Sequence, residues 1–140
     1  MKDNLGINLT VDLMDPKAYS ALFNAKQFNW GFTGWGADYP DPDNWLPQLY
    51  GTGGGNNKTG YSNPAFDTLS AQALKELYNT KRLKDWADAQ ALVVADQPMI
   101  YVFNRETFAL KKSWVKNQVT TGMDGQIAGD MFLRNVFISK

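Results

Sequence analysis

Apolar and polar residues follow strand or helix periods in several short segments of the chain. Ile7 to Leu13 alternates strictly, which is the period of a half-buried strand. This segment follows Gly6, so the first residues are typical of the end of a helix, a glycine stop and a strand within a longer protein. Phe28 to Trp35 and Met99 to Phe103 are short apolar runs typical of buried strands, and Phe132 to Ile138 is expected to form a last short strand.

Three Asx-Pro pairs predict where helices begin. Asp15-Pro16, Asp41-Pro42 and Asn63-Pro64 each place a capping side chain before a proline at the first helical position. The helix after Asn63 carries one apolar stripe, formed by Phe66, Leu69, Ala73 and Leu77. A further helix runs from about Thr80 to before Pro98, with a face formed by Leu83, Trp86, Ala87, Gln90 and Val94. Helices that alternate with strands indicate an α/β layered fold.

Composition narrows the possible functions. The 140 residues suit one domain with a hydrophobic core. Fourteen basic and fourteen acidic residues give zero net charge, so no nucleic-acid partner is expected. Cysteine and histidine are absent, which excludes thiol chemistry, histidine triads and zinc sites built on these ligands. No metal or cofactor is predicted, and no apolar run is long enough to span a bilayer.

The segment GWGADYPDPDNW, Gly34 to Trp45, contains three aspartates and no lysine or arginine. Asp41 has a structural explanation as an N-cap, and Asp43 as an acidic residue in the first helical turn. Asp38 follows a strand-like run and precedes no helix. It is therefore either a ligand-binding carboxylate or a turn-forming residue.

Acidic segments of this kind also occur in calcium loops and in carbohydrate sites. A calcium loop is excluded because Trp45 occupies the next ligand position, and the required glycine and closing glutamate are missing. A carbohydrate-binding or glycoside-active site is the alternative function. It would use Asp38 with a second carboxylate of the segment, and Trp35 and Trp45 as platforms for sugar rings.

The loop from Gly51 to Gly60 is rich in glycine and has almost no conformational preference. Its spacing matches neither a phosphate-binding loop nor a dinucleotide fingerprint. Two interpretations stay open, a mobile lip near a site and a plain flexible connector. Trp86 and Trp114 lie on apolar segments and are expected in the core.

Three blocks of sequence together carry a family resemblance: GWGADYPDPDNWL, YSNPAFDTL and KRLKDWADAQALVVADQPMIYVF. In this order they resemble the C-terminal part of the extracellular solute-binding proteins of peptide ABC transporters, the oligopeptide- and dipeptide-binding family. The ending from Ser113 to Ile138 also resembles the C-terminus of oligopeptide-binding members. The resemblance covers nearly all of this chain but only about the last quarter of a family protein.

This resemblance implies a partial lobe of a two-lobed periplasmic-binding-protein type II fold, with a mixed sheet flanked by helices. It implies a receptor and not an enzyme, which captures extended peptides for import through the membrane permease of an ABC transporter. The parent protein would lie outside the cytoplasm, in the periplasm or as a cell-surface lipoprotein. Its N-terminal lobe would be missing from this chain.

The same resemblance assigns site residues. Asp38 matches the aspartate that pairs with the α-amino group of the peptide. Trp35 matches the tryptophan that lines a side-chain pocket. Backbone groups near Gly34 and Gly36 would hydrogen-bond the extended peptide main chain.

Two positions match the family less closely. An asparagine in the following loop contacts ligand in some relatives, and Asn56 or Asn57 matches it loosely. Phe32 stands where some oligopeptide binders carry an arginine available to a ligand carboxylate. A carboxylate clamp for short peptides is therefore not implied here.

The resemblance also divides the chain. Residues 1–116 would be the C-terminal portion of the peptide-binding lobe, and residues 117–140 would return toward the other lobe. Gly125 to Lys140 would then lack a native partner in this chain. We expect the isolated chain to expose apolar surface or an unpaired edge and to self-associate.

Overall fold

The computed structural model describes residues 1–104, 106, 108–122, 124 and 129–139. Helices provide most of the regular structure among these residues. In chain order the elements are α1 (Lys2–Leu5), α2 (Pro16–Asn24), a first 3₁₀ turn (Pro42–Asn44), α3 (Leu46–Tyr50), α4 (Pro64–Lys75), α5 (Asn79–Asp96), β1 (Val115–Lys116), a second 3₁₀ turn (Asp130–Asn135) and β2 (Phe137–Ile138). Within the described ranges, no helix has the length and apolar character of a membrane span.

The three Asx-Pro pairs all cap helical segments, as predicted. Asp15 starts α2 and accepts a hydrogen bond at 2.8 Å from the amide two residues later. Asn63 starts α4 and accepts from the next two free amides at 2.9 and 3.2 Å. Asp41 caps in the same way at 3.1 Å, but it starts a 3₁₀ turn instead of an α-helix. Each cap satisfies an amide that has no partner inside its helix.

The hydrophobic core lies where α3, α4 and α5 pack together. Its buried apolar side chains are Leu46, Tyr50, Phe66, Ala73, Trp86, Ala89 and Val93. The stripe predicted on α4 is confirmed at Phe66 and Ala73, but Leu77 lies beyond the helix and is 93% exposed. The predicted face of α5 is confirmed at Trp86 only. Leu83 and Val94 are about half exposed, because the face that packs in the core is rotated away from them.

Three of the predicted strands are wrong. The segments Ile7 to Leu13, Phe28 to Trp35 and Met99 to Phe103 contain no strand. α1 does end at Gly6, which adopts φ 68°, as the glycine stop predicts. A strand needs a neighbour for its N–H and C=O groups, and these segments have no ladder partner among the described residues. The patterns of these segments therefore suit a strand, but the described chain places no second strand beside them.

β1 and β2 form a small antiparallel sheet, with Val115 opposite Ile138 and Lys116 opposite Phe137. The last predicted strand is thus confirmed at its end only, since a 3₁₀ turn precedes it. Helices with a small sheet fit a partial α/β lobe, although the observed sheet is antiparallel and not mixed. The sheet also joins residues on both sides of the predicted division after residue 116, and that division stays a prediction. The segment predicted to lack a native partner begins at Gly125, which lies outside the described residues.

Tyr61 and Asp96 tie the end of the glycine loop to the end of α5. The Tyr61 hydroxyl donates to Asp96 Oδ2 at 2.7 Å, and the Asn63 side-chain amide donates to the same oxygen at 2.8 Å. Burial, together with the adjacent Asp96 carboxylate, raises the pKa of Tyr61 to about 12. The donated hydrogen bonds, that of Tyr61 first, lower the pKa of Asp96. At neutral pH the pair therefore consists of a protonated phenol and a carboxylate.

Candidate functional site

Asn44 brings two predicted site residues, Trp35 and Asp38, into one hydrogen-bonded cluster. The Trp35 indole Nε1 donates to the Asn44 backbone carbonyl at 2.9 Å and to Oδ1 at 3.2 Å. The Asp38 backbone amide donates to Asn44 Oδ1 at 2.9 Å, and Asn44 Nδ2 donates to Asp38 Oδ2 at 3.2 Å. Sequence reasoning missed Asn44, because a polar residue in a 3₁₀ turn carries no periodic signal that it is buried.

Asp38 itself is exposed and has no cation beside it in the described part of the chain. Its carboxylate oxygen Oδ2 accepts from the neutral Asn44 amide, and no lysine or arginine of the described ranges lies within 4.0 Å. An amide donor orients a carboxylate without cancelling its negative charge. Asp38 can therefore still accept a positively charged ligand group.

Asp41 has the opposite environment, although it lies only three residues later. Arg82 on α5 donates to Asp41 Oδ1 at 2.7 Å, and both side chains are partly buried. The Arg82 hydrogen bond, more than any other contact, lowers the pKa of Asp41, and the same contact raises the pKa of Arg82. The capping role predicted for Asp41 is confirmed, but the Arg82 partner was missed because it lies 41 positions away along the chain.

Gly34 and Gly36 leave the backbone beside Trp35 open. A Cβ added at either position would meet nothing within 4 Å. No backbone–backbone hydrogen bond joins residues 28–37 to any other described part of the chain. Side-chain contacts do hold this segment: the Tyr19 hydroxyl on α2 donates to the Phe32 carbonyl at 2.8 Å, and the Trp35 indole donates to Asn44. An extended backbone with free N–H and C=O groups can accept another strand along its edge.

Asn57 organises the glycine loop from within. It is 1% exposed, and its Nδ2 donates to the carbonyls of Gly51 and Tyr61 at 2.9 and 2.7 Å. Its Oδ1 accepts from Thr59 and Gly60. This network gives Asn57 a structural role in the loop, while the neighbouring Asn56 is exposed. Among the described residues, no hydrogen bond or ion pair joins either asparagine to Trp35 or Asp38.

Trp45 does not join the Trp35 cluster but lines an open groove of about 660 Å³. The groove is mainly apolar and is lined by Pro40, Asp41, Pro42, Trp45, Leu46, Tyr50, Gln90, Val93, Val94 and Tyr101. Trp35 and Trp45, the two platforms of the alternative sugar site, make no ring contact with each other in the described structure. The described residues also contain no group of three acidic side chains suited to a metal ion.

Comparison with curated proteins finds relatives that match nearly the whole chain. The oligopeptide-binding protein OppA of Bacillus subtilis is 28% identical over 138 residues, which cover 97% of this chain and 24% of that protein. The periplasmic oligopeptide-binding protein OppA of Salmonella typhimurium is 30% identical over 139 residues, covering 99% of this chain and 25% of that protein. No protein-family model matches the chain.

Solved structures agree with these relatives. The pheromone receptor PrgZ, whose structure describes its mode of peptide binding, superposes over 99% of this chain with a TM-score of 0.72 and 29% identity. The open form of the murein tripeptide-binding protein MppA covers 69% of this chain with a TM-score of 0.65 and 28% identity. This chain belongs to the family of peptide-binding solute-binding proteins.

Family membership confirms the expected fold class, a partial lobe of a periplasmic-binding-protein fold. The chain spans about a quarter of the length of the curated relatives it matches. These relatives are named as binding proteins, and no finding supports the carbohydrate alternative.

Proposed function

We propose that this chain is part of a receptor that captures extended peptides, with Asp38 pairing with the peptide's α-amino group. The observation that carries the proposal is the state of Asp38, an exposed carboxylate held by a neutral amide with no cationic partner in the described chain. A peptide's ammonium group would provide the missing charge and three hydrogen-bond donors.

The neighbouring residues would recognise the rest of the peptide. Free backbone groups around Gly34 and Gly36 would pair with the peptide main chain, which gives affinity without dependence on its sequence. Trp35 would form one wall of a side-chain pocket, since its ring is held by the Asn44 contacts. Asn56 would reach the ligand from the glycine loop, and Asn57 would shape the loop that presents it.

The whole protein would act outside the cytoplasm and deliver peptide to the permease of an ABC transporter, without catalysing a reaction. Several relatives are named periplasmic, which supports this location. Their greater length supports a second lobe that closes over the peptide. That lobe would also supply partners for the unpaired segments Ile7 to Leu13 and Met99 to Phe103.

Burial decides how strongly Asp38 would bind. In the isolated chain the carboxylate is exposed, and an exposed ion pair contributes at most about 1 kcal/mol, or roughly fivefold in affinity. Under a closed second lobe, loss of one partner of the buried pair would cost about 3–5 kcal/mol, or more than about a hundredfold. We therefore expect weak binding by the isolated chain and strong amine dependence in the full-length receptor.

The test compares one peptide with a free amino terminus and the same peptide after N-acetylation. Titration followed by NMR suits the isolated chain, and calorimetry suits the full-length protein. We expect the free peptide to bind more tightly, by roughly fivefold or less in the chain and more than about a hundredfold in the full-length protein. Asp38→Asn should abolish this preference.

Asp3→Asn is a matched control, since this carboxylate is also exposed but lies in α1 outside the proposed site. The control should keep the preference for the free peptide. Equal affinity of the unsubstituted full-length protein for both peptides would rule out the proposed role of Asp38.

We also propose that the isolated chain self-associates. Leu13, Phe108 and Leu110 are each at least 89% exposed and lie outside helices and strands. Sedimentation velocity should show a mass that rises with concentration, and Leu110→Glu should reduce this rise by adding charge to the apolar surface. A stable monomer at high concentration would contradict the proposal.

A further inference from the structure

Asn44 is a buried amide whose polar atoms are used to hold other residues. It is 2% exposed, and a buried amide is costly unless its donors and acceptors are bonded. Its side chain contacts both the backbone amide and the carboxylate of Asp38, while its carbonyl and Oδ1 receive the Trp35 indole. One residue therefore sets the position of two others.

Asn44 is in turn fixed to the helical core. Its backbone amide donates to the Asp41 carbonyl at 3.1 Å within the first 3₁₀ turn. The Asp41 side chain is tied to Arg82 on α5, and Leu46 enters the core two residues after Asn44. The first 3₁₀ turn is thus anchored on both sides.

Residues 34–38 lack such an anchor of their own. They belong to no helix or strand, and glycines at positions 34 and 36 give their backbone wide conformational freedom. Among the described residues, Trp35 and Asp38 form hydrogen bonds only with Asn44. In the described structure, the hydrogen bonds that place Trp35 and Asp38 therefore all involve this single residue.

Asp38 and Asp41 show why an amide suits this position. Arg82 neutralises Asp41, which makes that aspartate a structural residue. Asn44 orients Asp38 through a neutral donor to one oxygen, so the negative charge is kept. A cationic side chain in place of Asn44 would pair with the Asp38 carboxylate. The negative charge that a ligand ammonium group needs would then be neutralised.

We propose that Asn44 is a positioning residue, which holds Asp38 and Trp35 in the arrangement that distinguishes a free peptide amino terminus from an acylated one. The inference rests on the proposed function. Asn44 would not touch the peptide itself but would set the geometry of the carboxylate that does. A carboxylate free to rotate away would lose part of its selectivity even though its charge remained.

The first measurement uses the isolated chain without peptide. Asn44→Ala should raise the hydrogen-exchange rate of the Asp38 backbone amide by about five- to tenfold, since that amide loses its only acceptor in the described chain. Phe66→Leu is the control for general destabilisation, and it should leave the local rate of Asp38 much less affected. An unchanged rate in Asn44→Ala would overturn the proposal.

The second measurement guards against a variant that does not fold. In the unsubstituted chain, Asn44 Nδ2 lies 3.2 Å from Asp38 Oδ2. NMR should therefore show nuclear Overhauser effects between the Asn44 side-chain amide protons and the Asp38 β protons. Absence of these effects would contradict the proposed contact without any substitution.

The third measurement asks whether the contact matters for recognition. In the full-length protein, Asn44→Ala should reduce the preference for free over N-acetylated peptide by about fivefold or more, while Phe66→Leu should keep it. A preference unchanged by Asn44→Ala would refute the positioning role. If the unsubstituted protein shows no preference, the proposed function fails, and the exchange and NMR results then decide separately whether Asn44 holds Asp38.

Discussion

Replacing Phe66 by alanine is expected to destabilise the chain by about 3–5 kcal/mol, the range for losing a buried phenylalanine. Phe66 is fully buried on α4, and its ring packs edge-on against those of Tyr50 and Tyr61, with centroids 6.4 and 6.0 Å away. The substitution would remove contacts that link α3, α4 and the end of the glycine loop. Because small domains are stable by only about 5–15 kcal/mol, a large part of the folded state's stability would be lost.

Urea denaturation followed by circular dichroism would measure this loss. Leu74→Ala is the matched control, because Leu74 lies on the same helix but is about half exposed. We expect the control to cost less than about 1 kcal/mol, as surface substitutions usually do. Equal losses for the two variants would mean that α4 does not pack through Phe66.

Replacing Trp86 by alanine is expected to cost a similar amount, about 3–5 kcal/mol. Trp86 is 2% exposed on α5, and the Arg82 guanidinium lies 5.8 Å from its ring centroid. The ring therefore supports the arginine that pairs with Asp41. Its loss should weaken both the core and the anchor of the first 3₁₀ turn.

The conservative variant Trp86→Phe separates packing from hydrogen bonding. The buried indole Nε1 has no hydrogen-bond partner in the described part of the chain. Removing an unpaired buried donor removes a desolvation cost, so Trp86→Phe should cost less than about 1.5 kcal/mol. Leu83→Ala, on the half-exposed face of the same helix, is the control and should cost about 1 kcal/mol or less. A loss for Trp86→Phe as large as for Trp86→Ala would indicate that the indole N–H is bonded.

These expectations differ from those that periodicity alone would give. The sequence predicts Leu83 and Trp86 on one face of α5, whereas only Trp86 is buried. A helical period identifies an apolar stripe but not the angle at which a second helix meets it. The packing of α5 against α4 selects the residues that enter the core.

Sequence reasoning likewise identified some residues of the candidate site and missed others. Gly34, Trp35, Gly36 and Asp38 lie within four residues of one another along the chain, so a local motif was enough to identify them. Asn44 was missed because its role depends on a turn that brings it back to Asp38, six residues earlier in the chain. Arg82 was missed because it lies on α5, far along the chain from Asp41, with which it pairs.

The sequence by itself determined where helices begin, because an Asx side chain and a following proline act on amides only a few residues away. It also indicated the family, through three blocks of residues in a characteristic order, and a relative 30% identical over 139 residues agrees with that assignment. Only the tertiary structure decided which alternating segments are paired strands and that Asp41, unlike Asp38, pairs with a cation in the described chain. Strand pairing and charge pairing both depend on a partner distant in sequence, and no local pattern encodes where that partner lies.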